Sequence, residues 1–249
     1  MVGRVAALLT RRAAAFVALA TAIGLYYAFH KSLWNESLWA DIAFMAFVLI
    51  PAVFGLVYLA LPLWRTPGPE LLLLALAFVV LAVVLQVAGA ASVAGFAKLG
   101  AATAIAWLFL SFFEEASWVV LVACVVPWVD AYSVWRGPTH HIVHHRRHVF
   151  TALSFGFPVP GENAAANLGL PDLLFFALFL GAAARFGLRV FWTWLGLTAS
   201  FGSTMALATG FDVGGLPALP LLSLGFLLPN ADLLWRAVRR PRPAAARSE

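Results

Sequence analysis

The 249 residues are 63% apolar and only 11% charged, with a mean hydropathy of +0.93, whereas soluble domains run near half apolar and a quarter charged. This excludes an ordinary water-soluble globule, because too little polar surface exists to cover a core of that size. The net charge of +5 comes from Lys and Arg at the edges of apolar runs, with no basic patch interleaved with aromatics. It reads as membrane topology and not as a nucleic-acid surface.

Crossing about 30 Å of hydrocarbon takes roughly 20 mostly apolar residues. On that rule the sequence predicts an all-α, polytopic membrane bundle of eight spans in a single domain. They fall at 12–30, 38–63, 70–91, 94–113, 116–135, 168–187, 190–209 and 216–235. The first follows Arg4, Arg11 and Arg12 like a signal peptide, but no small-residue cleavage site follows Tyr26-Tyr27, so an uncleaved span is expected. Pro51 predicts a kink in the second span, which membrane helices tolerate. Lys98 is read as marking the start of the fourth span, and Glu114-Glu115 the break before the fifth. Trp34, Trp39, Trp64, Trp107, Trp128, Trp135 and Trp235 are read mostly as interfacial anchors. Cys124 has no second cysteine to pair with, and cysteine usage gives no redox compartment.

Residues 136–167 form the longest polar connection. Its first half is basic and rich in histidine. Its second half, Val149 to Val159, is rich in β-branched and aromatic residues before Pro158, Pro160 and Gly161, which predicts a short strand. With the N-terminus cytoplasmic, inside segments hold eleven Lys and Arg: Arg4, Arg11, Arg12, Arg65, Arg185, Arg189, Arg236, Arg239, Arg240, Arg242 and Arg247. Outside segments hold five: Lys31, Lys98, Arg136, Arg146 and Arg147. The positive-inside rule therefore puts both termini in the cytoplasm and the 136–167 loop outside. The Ala, Leu and Arg content suggests a prokaryotic plasma membrane.

Within the spans, ionisable side chains are costly and by default point to function. Asp130 lies six residues before Arg136, about 9 Å below the loop-side end of its span. Asp172 lies five residues after Asn167, about 7–8 Å below the same end of the next span. The two carboxylates therefore reach one depth on consecutive spans. A pair sharing a site divides one proton between them, as peptide hydrolysis by general acid–base catalysis requires.

Three segments resemble the presenilin and signal peptide peptidase family of intramembrane aspartyl proteases. Asp130-Ala-Tyr-Ser-Val-Trp-Arg-Gly-Pro138 is similar to the first catalytic segment. Gly169-Leu-Pro-Asp172, followed by Leu-Leu-Phe-Phe, is similar to the Gly-x-Gly-Asp segment. Leu216-Pro217-Ala218-Leu219-Pro220 is similar to the Pro-Ala-Leu segment. Order and spacing agree over about residues 116–235, behind N-terminal helices in 1–115. The resemblance implies a presenilin-like fold, with Asp130 and Asp172 as the catalytic pair. It further implies that Gly169, Leu170, Pro171, Pro217, Ala218 and Leu219 shape the site around transmembrane-segment substrates, with no cofactor. Two departures stand out: Pro171 replaces the second glycine of Gly-x-Gly-Asp, and the family has nine spans to the eight counted here. Proline at 171 is expected to loosen the first turn around Asp172, and Pro217 with Pro220 to prevent a regular helix start. The Val149 to Phe157 stretch offers a strand edge for an unwound substrate.

His140, His141, His144, His145 and His148 contain i,i+4 pairs, but Arg146 and Arg147 interrupt them and no Cys or acidic ligand is near. A solvated, pH-sensitive loop is expected and no metal centre. Asp41, Asp212 and Asp232 are read as interfacial, and Ser203 and Thr204 as packing residues. Two other classes fit the aspartates: a proton-coupled transporter using them as a relay, and a catalytically inactive binder of membrane segments.

Overall fold

A computed structural model describes residues 2–34, 37–136, 154–211 and 216–239. The chain forms a predominantly helical bundle. Helix α1 (Val2–Phe29) ends in a 3-10 turn, His30–Ser32. The second apolar run is one rod in four pieces: α2 (Leu38–Phe44), a π turn (Met45–Leu49), α3 (Ile50–Ala60) and a 3-10 turn (Leu61–Arg65). The predicted disturbance at Pro51 is this π turn. The wider turn just ahead of the proline absorbs a residue that cannot donate to the helical ladder. Helices α4 (Gly68–Val87), α5 (Ala91–Ser111) and α6 (Ala116–Arg136) follow. After the histidine-rich segment come β1 (Ser154–Pro158), β2 (Ala165–Gly169), α7 (Leu170–Arg185), α8 (Val190–Gly210) and α9 (Leu219–Arg239).

Five stretches among the described residues are long and apolar enough to cross a membrane: Thr10–Ser32, Leu38–Arg65, Gly68–Val87, Ala91–Ser111 and Ala116–Val134. Helix α7 is shorter than the predicted 168–187 span, because Leu168 and Gly169 belong to a strand and not to the helix. An all-α reading therefore needs one amendment. A two-stranded antiparallel hairpin, Ser154 opposite Gly169 through Pro158 opposite Ala165, leads straight into α7. The expected strand is found in its second half. Residues 149–153 lie outside the described residues, and β2, with Ala165, Ala166 and Asn167, gave no β-propensity signal.

Helix α7 is the centre of the bundle. Leu173 and every residue from Phe176 to Ala183 are buried, so it is apolar around its whole circumference rather than along one stripe. Phe176 packs between α3 and α8, with its ring 4.0 Å from Phe54 and 6.0 Å from Phe201. Phe179 stacks on Phe226 of α9 at 4.8 Å. On the α5 side, the buried Trp107 indole N–H donates to Ala177 O at 3.1 Å. The indole can reach it because residue 181 is glycine, where an added Cβ would sit 2.8 Å from the Trp107 ring. Lipid gives little hydrophobic drive between helices, so close approach of this kind carries much of the packing. Helices α8 and α9 likewise cross with Gly196 and Gly225 backbone to backbone. Around the centre, α5 packs against α4 and α7, α6 packs chiefly against α9, and α1 packs against α3.

Candidate functional site

Asp130 sits one and a half turns before the end of α6, after an internal proline, Pro127, that leaves the helix continuous. Its Oδ2 accepts the backbone N–H of Leu219, the first residue of α9, at 3.0 Å. The first amides of a helix have no partner inside it, so one of them is aimed at the carboxylate. Asp172 lies in the first turn of α7, two residues into the helix. The sequence had assigned it a deeper position, counting from Asn167. Its Oδ2 accepts the N–H of Gly169 at 3.2 Å, which caps α7 from within. Both carboxylates thus stand at a helix N-terminus, where the helix dipole favours negative charge.

Asp130 and Asp172 are both partly exposed residues. Helices α6 and α7 touch, and α9 packs along α6. The three segments singled out from the sequence therefore come together. Leu219 is bonded to Asp130, and Gly169 is bonded to Asp172. The side chains of Ala218 and Leu219 are buried, whereas Pro217 is partly exposed. Leu170 and Pro171 turn the other way. With Leu174 and Phe175 they line an apolar groove of about 640 Å³ between α4, α5 and α7.

The prolines behave differently from expectation. Pro171 occupies the second position of α7, where its missing N–H falls among the amides a helix leaves unused, and the turn around Asp172 is regular. Pro220 takes the equivalent position in α9, and the helix starts cleanly with Leu222 N–H donating to Ala218 O at 3.0 Å. Neither proline loosens or blocks a helix start, because the first turn is where proline fits.

The edge expected of the Val149 to Phe157 stretch is also not where it was predicted. Val159 N–H donates to Ala164 O at 3.0 Å. The antiparallel alternation then turns Phe157 and Phe155 toward β2 and the carbonyls of Ser154, Gly156 and Pro158 away from it. All three outward carbonyls are occupied: by Lys98 Nζ at 3.3 Å, Tyr27 OH at 2.9 Å and Tyr26 OH at 2.6 Å. On the opposite side of the hairpin the Ala165 carbonyl accepts from the Asn167 side chain and the Gly169 N–H donates to Asp172, which leaves the middle residue open. Among the described residues, the outward N–H and C=O of Asn167 in β2 have no partner.

Several polar residues lie elsewhere than the sequence suggested. Lys98 is buried seven residues into α5 instead of marking the start of its span. The rule that flagged the aspartates applied to it equally. Asp41, in the first turn of α2, is buried, with Oδ1 unpartnered among the described residues. Asp232 pairs with Arg189 at 2.7 Å, and Thr204 bonds back to Ser200 O within its helix. The five loop histidines and Asp212 lie outside the described residues.

No family model matches the sequence, and no curated protein matches it.

Proposed function

We propose that the chain is an intramembrane aspartyl endopeptidase of the presenilin and signal peptide peptidase type. It would cleave peptide bonds within or near transmembrane segments, with Asp130 and Asp172 as its catalytic pair. The observation that carries this is that Asp130 holds the first amide of α9 while its helix, α6, touches α7, whose first turn carries Asp172. No cation accompanies either carboxylate among the described residues, since the ion pair found there is at Arg189 and Asp232. Among the described residues each acid accepts a backbone amide, and two acids brought to one site would share a proton.

In this reading one carboxylate takes a proton from water as the water oxygen adds to the scissile carbonyl carbon. The other carboxyl gives its proton to the carbonyl oxygen. As the resulting diol collapses, the C–N bond breaks, the proton taken from water passes to the leaving nitrogen, and a diol hydroxyl returns a proton to the second carboxylate, restoring the pair. The substrate helix must be unwound locally first. The open edge of β2, which runs into Asp172 through Gly169, offers backbone partners to the unwound segment. The regular turn at Pro171 supports an active enzyme, since the departure from Gly-x-Gly-Asp costs α7 no hydrogen bond. Eight spans, with α7, α8 and α9 joining the five longer stretches, and both termini in the cytoplasm of a prokaryotic cell complete the proposal.

The test is reconstitution of the purified protein in liposomes with a single-span test substrate, with products read by mass spectrometry. The expected result is one or a few cuts near a membrane face, lost in both Asp130→Asn and Asp172→Asn. Intact substrate accompanied by aspartate-dependent proton flux would make the protein a transporter. Binding without cleavage would make it an inactive relative.

A further inference from the structure

The side chains on the outer edge of β1 come from two helices far away in sequence, and their spacing matches the strand. Alternate residues of a strand repeat about every 6.8 Å, and the rings of Tyr26 and Tyr27, adjacent at the end of α1, stand 6.0 Å apart. Two consecutive helical residues thereby reach two consecutive outward carbonyls, Pro158 and Gly156. The third, Ser154, is taken by Lys98 from α5. The turn of the hairpin is tied as well: Gly161, at φ +70°, donates its N–H to His30 O at 2.7 Å. Pro158 itself has no N–H to offer along that edge.

Packing does not call for this arrangement. A buried ammonium is costly to desolvate, and among the described residues Lys98 has a main-chain carbonyl as its acceptor and no carboxylate. Methionine has a similar length and would fill the same space without a charge. What lysine adds is a charge-assisted tether to the residue directly opposite Gly169, the residue whose N–H holds Asp172.

We propose that Tyr26, Tyr27 and Lys98 are positioning residues that occupy the outer edge of β1, hold the hairpin formed without substrate, and leave the β2 edge as the side open to pairing in fixed register with Asp172. The clamp itself does not depend on the protease reading; the identity of what pairs with β2 does.

Hydrogen–deuterium exchange on the full-length purified protein, without substrate, tests the clamp directly. In the wild type the amides of Phe155 and Phe157 are protected. In Lys98→Met, and in the double variant Tyr26→Phe/Tyr27→Phe, their exchange speeds up by about tenfold while α8 and α9 stay protected. In the cleavage assay the same variants raise KM several-fold and leave kcat nearly unchanged, because the loss is in preorganised binding. Should Lys98→Met lose protection throughout the bundle, the tyrosine variant, which removes two hydroxyl oxygens and no ring, decides the matter. Unchanged exchange in the hairpin overturns the proposal, as does a loss carried by kcat with KM unchanged. Faster hairpin exchange in a protein whose wild type cleaves nothing would leave the clamp standing and remove the protease.

Discussion

Helix α7 has an acid near each end, and the two ends handle it in opposite ways. At its start, Asp172 accepts the Gly169 amide, and on the adjoining α6 Asp130 accepts the Leu219 amide. Past its other end, Asp232 of α9 takes both guanidinium nitrogens of Arg189 at 2.7 and 2.9 Å. The same guanidinium reaches Pro229 O, and the Arg189 backbone N–H donates to the buried Asn230 side chain. An acid neutralised by a cation and surrounded by side-chain bonds joins helices together. An acid whose neighbour is a second acid, with amides as its donors, is poised for proton transfer. Charge alone does not separate the two cases; the partner does.

Exchanging the acids for amides gives the sharpest contrast. Asp130→Asn or Asp172→Asn is expected to lower kcat/KM by at least about 1,000-fold with little effect on folding, measured by cleavage of the reconstituted test substrate. Asp232→Asn should leave cleavage within about twofold, as expected of an exposed ion pair. Comparable losses at both ends would erase the distinction. The middle of α7 should respond in stability instead. Phe179→Ala removes a ring stacked on Phe226, and a loss of about 3–5 kcal/mol would appear in thermal unfolding in detergent. A smaller effect is expected at the far end. Asn230→Leu leaves the Arg189 N–H and the Thr193 hydroxyl without their partner, at about 1–2 kcal/mol and with cleavage unchanged in the surviving fraction.

How far these ends could be read from sequence differed with the kind of signal. Five of the spans show plainly in hydropathy, because most residues facing lipid or core are apolar. The aspartates stood out against that background. Three things were not legible. The β2 strand consists of Ala, Ala, Asn, Leu and Gly, and forms through its partner and not through propensity. Lys98 sat near enough to a predicted span end to pass as a boundary charge, although in the fold it is buried. Asp41, near the start of its helix, gave no hint of burial, and its unpartnered oxygen has no counterpart in the sequence pattern. For Lys98 the deciding contact, with Ser154, joins residues 56 positions apart, which periodicity does not see.

The central claim is that side chains 130 and 172 meet beneath the loop-side ends of α6 and α7. Cysteine cross-linking in the membrane tests it most directly. On a Cys124→Ala background, Asp130→Cys with Asp172→Cys should join through a short bifunctional thiol reagent as readily as Asp130→Cys with Leu219→Cys. Asp130→Cys with Asp232→Cys, from opposite ends of the bundle, should not join. A 130–219 link formed in the absence of any 130–172 link would contradict the account.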